Sequence, residues 1–246
     1  MRWQDSSYKE IISSAYVNYF VSSGARGSIA PMSQEMITVG GLSTPRAELK
    51  QYATQYLRGP GIWSYPAYDG FEGSGTGTVR EADLLAICLL NAGQKPLQSF
   101  YTLKSLLVPI NERLADPQLK GSLAEAGQGT LEAIADLAGI LDDFEPTPEV
   151  RLTKLMKVLH RMKPELIPLY DQNIWRLYLQ LGTRPVPRVK GRSRRDFALD
   201  WLPAVQEDLR RHMDFWQEIT DLADPKVPIT PLRALDICAW KMGEKR

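Results

Sequence analysis

Cysteine and histidine are scarce, with two of each in 246 residues. Two cysteines cannot build a four-thiolate cluster, and Cys88 and Cys238 both stand inside apolar runs, so they read as reduced, buried thiols of a cytoplasmic protein. His160 and His212 fall on different predicted helices with no carboxylates at metal-ligand spacing. A zinc site is therefore not expected, and Ser-His-Asp or Cys-His chemistry lacks its partners. No metal and no cofactor are called for. Net charge is nearly absent too: at +1, no global field advertises a polyanion, and a nucleic-acid role has to rest on local patches. No apolar run approaches the ~20 residues that span a bilayer, so no membrane partner is expected. Arg2, Asp5, Lys9 and Glu10 interrupt the N-terminus and argue against a signal peptide. There is no Gly-x-x-x-x-Gly-Lys phosphate loop, and Gly73-Ser74-Gly75-Thr76-Gly77 follows no strand-like run. Alternation of apolar and polar residues, the mark of a half-buried strand, forms no convincing run anywhere.

What is present is helical periodicity in an ordinary globular composition, 43% apolar and 24% charged. Helices are expected at about 5–22, 45–58, 79–92, 97–115, 130–142, 148–163, 169–182, 195–222 and 230–242, an all-α fold. The breaks are explicit: Gly59-Pro60-Gly61, the Gly70-to-Gly77 tract, Pro146-x-Pro148 and Pro185-x-Pro187. The expected division is 1–78, N-terminal helices and a Gly-rich loop packed on the core, and 79–246, the helical core. Leu84 to Leu90 is apolar nearly all round, which makes its helix the expected central one. In 148–163, Leu152, Leu155, Met156, Val158, Leu159 and Met162 share one face, while Lys154, Lys157 and Arg161 fall on the other. A solvated cationic stripe is the ordinary reading of that second face.

Three constellations can carry chemistry. Ile167-Pro168-Leu169-Tyr170-Asp171 sets a carboxylate just past a proline-marked turn, at the start of an apolar helix. Asp171 is then either a cap for unpaired amides or a tool. Arg184, Arg188, Lys190, Arg192, Arg194 and Arg195 lie within twelve residues with no acid before Asp196, a solvated loop or a phosphate-tracking one. Trp63, Tyr65 and Tyr68 precede the Gly-rich tract and Phe71 stands at its start; they anchor that loop, or they stack on a base whose edge Asp69 reads.

The pattern Asp171-x-x-Ile174-x-Arg176, preceded by the helix containing Thr153 at an interval of 18 residues, resembles the helix-hairpin-helix base-excision DNA glycosylase superfamily. Ala82 to Gln94 is similar to that superfamily's first core helix and its gap-filling turn. The wider pattern, Lys163-Pro164-x-Leu166-Ile167-Pro168-x-Tyr170-Asp171, also resembles a bacterial family of uncharacterised function. The resemblance implies a helix-hairpin-helix glycosylase-like fold and a duplex DNA partner with an extruded base. It implies Asp171 as the catalytic carboxylate, and Asn91 and Gln94 as the side chains filling the vacated stack. The activity implied is hydrolysis of the N-glycosidic bond of a damaged or modified base, in repair or anti-phage defence. Two departures matter. The hairpin reads Thr147-Pro148-Glu149-Val150-Arg151 in place of Gly-Val-Gly, which weakens the approach of its backbone to phosphate, so Arg151 or Lys154 has to compensate. Leu152 stands near the position where bifunctional members carry a nucleophilic lysine, so a monofunctional enzyme is implied. The alternative is a noncatalytic all-α module that binds nucleic acid or protein through the basic loop.

Overall fold

The computed structural model describes residues 34–60, 63–73, 77–144 and 149–244; the expected helix 5–22 lies outside them. The described chain opens on a feature that the sequence reading missed, an antiparallel hairpin of β1, Met36–Val39, and β2, Leu42–Pro45. Its two-residue turn is Gly40-Gly41, with φ of +59° and +75°, the left-handed pair that a tight hairpin turn of matching twist requires. Ile-Thr-Val-Gly-Gly-Leu-Ser-Thr is a legible hairpin signal, too short to show as sustained alternation. The buried Asp208 carboxylate anchors the turn by accepting from the Gly40 amide at 2.7 Å and from the Tyr178 hydroxyl at 2.9 Å.

All other regular structure among the described residues is helical. The α-helices are α1, Arg46–Arg58; α2, Pro96–Ser105; α3, Leu107–Leu114; α4, Gln128–Asp143; α5, Leu152–Met162; α6, Gln172–Leu179; α7, Arg194–Arg211; α8, Met213–Thr220; and α9, Pro231–Met242. Two runs expected as single helices are split, 97–115 at Leu106 and 195–222 at His212. Glu35–Arg246 forms one compact unit that contains the hairpin and α1 together with the rest. In it α4 lies along α7, and α9 packs on α1, α6, α7 and α8.

The central helix is α9, buried continuously from Leu232 to Ala239, and not the 79–92 run. Asp83–Leu90 is a 3-10 segment. Three residues per turn stack its apolar side chains in eclipsed rows. One row reaches solvent: Leu85 is 53% exposed, and Cys88, expected to be buried, is exposed as well.

The expected cationic stripe of α5 is also corrected. Lys154 and Lys157 are only 8% and 6% exposed, and Arg161 is half-buried. Loop and 3-10 backbone covers this face and leaves carbonyls without intrahelical partners. The cations meet them: Lys157 donates to Leu90 O at 2.7 Å, Lys154 to Gln94 O at 2.9 Å, and Arg161 to Tyr68 O at 2.9 Å.

His160, on the same helix, is buried; its Nδ1 lies 2.6 Å from Ile167 O, and its ring stacks on Tyr68. Burial pushes the imidazole down from its ordinary 6.5 to about 4. The unfolded chain therefore takes up a proton between these values that the folded chain refuses, and stability is lost as pH falls through that window. Relative to wild type, His160→Gln should gain about 3 kcal/mol between pH 7 and pH 4. Denaturant titrations across that range check this, and a gap independent of pH would contradict it.

Candidate functional site

Asp171 does cap α6. Its backbone is extended, and Oδ1 accepts from the amides of Asn173 at 2.9 Å and Ile174 at 3.1 Å. That occupies one oxygen. Oδ2 takes no hydrogen bond among the described residues, and Asp171 lines a cavity of about 610 Å³. The buried run Leu166-Ile167-Pro168-Leu169 packs into the core and fixes the approach to this position.

The cavity has aromatic walls from Tyr56, Trp63 and Trp240, and the Asn91–Gln94 turn closes one side. Asn91 adopts the left-handed conformation, φ 54°, and Gln94 Nε2 donates to Asn91 O at 3.0 Å, so the two expected residues form one turn. A second cavity, of about 690 Å³, is lined by Trp175, Arg188, Lys190, Arg192 and Arg194. Arg151, Thr153, Tyr170, Asp171 and Gln172 line both. Asp171 thus stands on the border between an aromatic hollow and a basic one.

Under the first cavity lies a buried ionic cluster. Arg233 Nε and Nη2 donate to the two oxygens of Asp69 at 2.7 and 3.2 Å, Nη1 donates to Asp236 Oδ2, and Nη2 reaches the Tyr56 hydroxyl at 3.1 Å. Burial raises the Asp236 carboxyl to about 6 against the opposing pull of Arg233. Lys157 is lowered by burial, while Asp171 and Asp236 hold its charge. Lys157, Arg233 and Asp236 all line the cavity.

Several expected site residues lie elsewhere. Tyr65 and Tyr68 are buried away from the cavity: Tyr65 donates to Val227 O at 2.9 Å and Tyr68 to Lys157 O at 2.7 Å. Asp69 is held by Arg233 and cannot read a base edge. All three turn toward α5, α9 and the 224–227 loop, and Trp63 and Ser64 are the residues of that segment that reach the cavity. Lys154 lines the cavity with its ammonium committed to Gln94 O and Ser99 Oγ, which removes it from a phosphate face.

Half of the six cations of the basic loop are neutralised from within. Arg192 pairs with Asp200, Arg194 with Asp142 at 3.2 Å, and Arg195 with Asp136 at 2.6 Å. Arg195 also lines neither of the two adjoining cavities. The acids come from α4 and α7, so a local scan for charge did not see them. Arg151, Arg188 and Lys190 remain exposed without an ion-pair partner among the described residues, Arg188 resting over the Trp175 ring at 5.3 Å.

Sequence reasoning missed Arg233, Asp236 and Trp240. The available signal was a charged pair spaced i, i+3 inside an otherwise apolar helix. Among the described residues no group of three or more His, Cys, Asp or Glu side chains could hold a metal ion, and no helix is long and apolar enough to cross a membrane. Residues 47–243 match a family of unknown function, DUF6308. No curated protein and no solved structure matches the chain.

Proposed function

The chain belongs to the DUF6308 family, and we propose that it is a monofunctional DNA glycosylase that hydrolyses the N-glycosidic bond of a damaged or modified base, in repair or anti-phage defence. The single observation that carries this reading is the position of Asp171, with one oxygen capping α6 and the other unbonded among the described residues, at the border of an aromatic and a basic cavity. An extruded base enters the hollow of Tyr56, Trp63 and Trp240 while its phosphates stay on the side of Arg188 and Lys190. As the bond to the base lengthens, positive charge grows on the sugar; the Asp171 carboxylate stabilises it and orients the water that adds. The Asn91–Gln94 turn fills the vacated stack. Helix order supports a helix-hairpin-helix arrangement: α4, then α5, a proline-marked turn and Asp171 at the head of α6; residues 145–148, which include Thr147 and Pro148 of the expected hairpin, lie outside the described residues. Leu152 carries no amine and the Lys154 ammonium is already bonded, so neither position attacks the sugar and product strands stay intact.

Loss of the hairpin glycines, with Thr147-Pro148-Glu149-Val150-Arg151 in their place, favours a second reading, a noncatalytic all-α binding module. Duplex binding as a function of salt probes the DNA partner common to the first reading and the nucleic-acid form of the second. Replacing Arg188 and Lys190 with Ala should lower the log-log salt slope by about 0.9 for each phosphate that is no longer neutralised. Arg195→Ala should leave the slope unchanged. A slope insensitive to all three would remove DNA from the cleft.

A further inference from the structure

Lys157 is an ammonium in an unusual place. It is buried, it lines the aromatic cavity, and Leu90 O is the one hydrogen-bond acceptor it meets among the described residues. An ammonium carries three N–H donors, so two meet no protein acceptor among the described residues. Lys154, one turn earlier, is spent on Gln94 O and Ser99 Oγ. Desolvating a cation with so little hydrogen bonding is costly, and a titratable group kept in that state inside a cleft is a candidate for chemistry. The charged groups around it are Asp171 at the head of α6, Asp236 and Arg233 on α9, and Lys154 on its own helix.

We infer that Lys157 is the acid for the departing base, giving a proton from Nζ to the base as the glycosidic bond breaks. This rests on the glycosylase reading. Asp171 serves the half of the transition state that becomes positive, and the leaving base is the half that becomes negative. The C1′–N bond breaks with its electron pair passing to the base, and a Lys157 proton neutralises it. Water adds to C1′ and gives a proton to Asp171 Oδ2; solvent then reprotonates Lys157 and relieves Asp171. One water is consumed, and the free base and an abasic sugar are formed. Burial, which holds Lys157 below the ordinary lysine range, makes it a better acid near neutrality.

The test compares wild type, Lys157→Met and Lys157→Arg in releasing uracil, hypoxanthine or N7-methylguanine from duplexes between about pH 6 and 10. Duplex binding and thermal melting are followed alongside. The expected result is a loss of about 10²–10⁴-fold in Lys157→Met for uracil or hypoxanthine. Wild type loses rate on the alkaline side as Lys157 gives up its proton, and that limb is missing from both variants. Lys157→Arg keeps the charge without a transferable proton, recovers only part of the rate, and serves as the folded control if the Met variant melts. N7-methylguanine departs as a neutral base and should be released nearly normally. A folded Lys157→Met or Lys157→Arg with wild-type rates and an intact alkaline limb overturns the role of Lys157 and leaves the glycosylase reading standing. No base released by wild type from any of these duplexes or from genomic DNA rich in modified bases overturns that reading, and this inference with it.

Discussion

Asp171→Asn should leave the protein folded and lower base excision by about 10²–10³-fold. The amide oxygen still accepts from the amides of Asn173 and Ile174, so the cap on α6 survives, and only the negative charge at the border of the two cavities is removed. Asp171→Ala separates the two roles from the other side: it should abolish excision and also cost about 1 kcal/mol of stability through removal of the cap. Single-turnover excision and chemical denaturation, measured on the same preparations, check the pair. Wild-type excision by the Asn variant would reduce Asp171 to a cap.

Arg233→Ala should be the most destabilising single change under the cavity, by about 3–5 kcal/mol, because it leaves two buried carboxylates without their partner. Arg233 binds both oxygens of Asp69 and one oxygen of Asp236. A lysine offers a point charge and cannot reproduce that fork, so Arg233→Lys should fall between the two. Adding Asp69→Asn to Arg233→Ala should recover part of the loss, since one orphaned charge is gone. Denaturant midpoints decide the matter; a loss below about 1 kcal/mol would show that the cluster is solvated enough to tolerate a missing cation.

What the sequence disclosed, and what it hid, follows from how far each signal reaches along the chain. Asp171 was legible because a proline turn, a capping residue and an apolar helix are neighbours in sequence. The hollow of Tyr56, Trp63 and Trp240 was not, since it joins residues from opposite ends of the described chain. Periodicity correctly separated the two faces of α5. It could not say that the second face would be covered, and so Lys154 and Lys157 passed for solvated cations when they meet backbone carbonyls. The basic loop misled for the same reason: the acids that neutralise Arg194 and Arg195 lie 52 and 59 residues away. Leu84 to Leu90 shows a different limit. A run apolar all round carries no period, so it cannot announce whether it winds as an α-helix or as the 3-10 segment found here. The hairpin was within reach, through Gly40-Gly41 between two short β-prone triplets.

The most direct measurement is the count of free bases against alkali-labile sites after wild-type protein acts on duplexes and genomic DNAs carrying different base modifications. One released base for each alkali-labile site is predicted, in strands that stay intact until alkali is added and with no protein–DNA adduct trapped by borohydride. Tight binding to the same DNAs with no base released would contradict the account and leave a binding module on a helical scaffold.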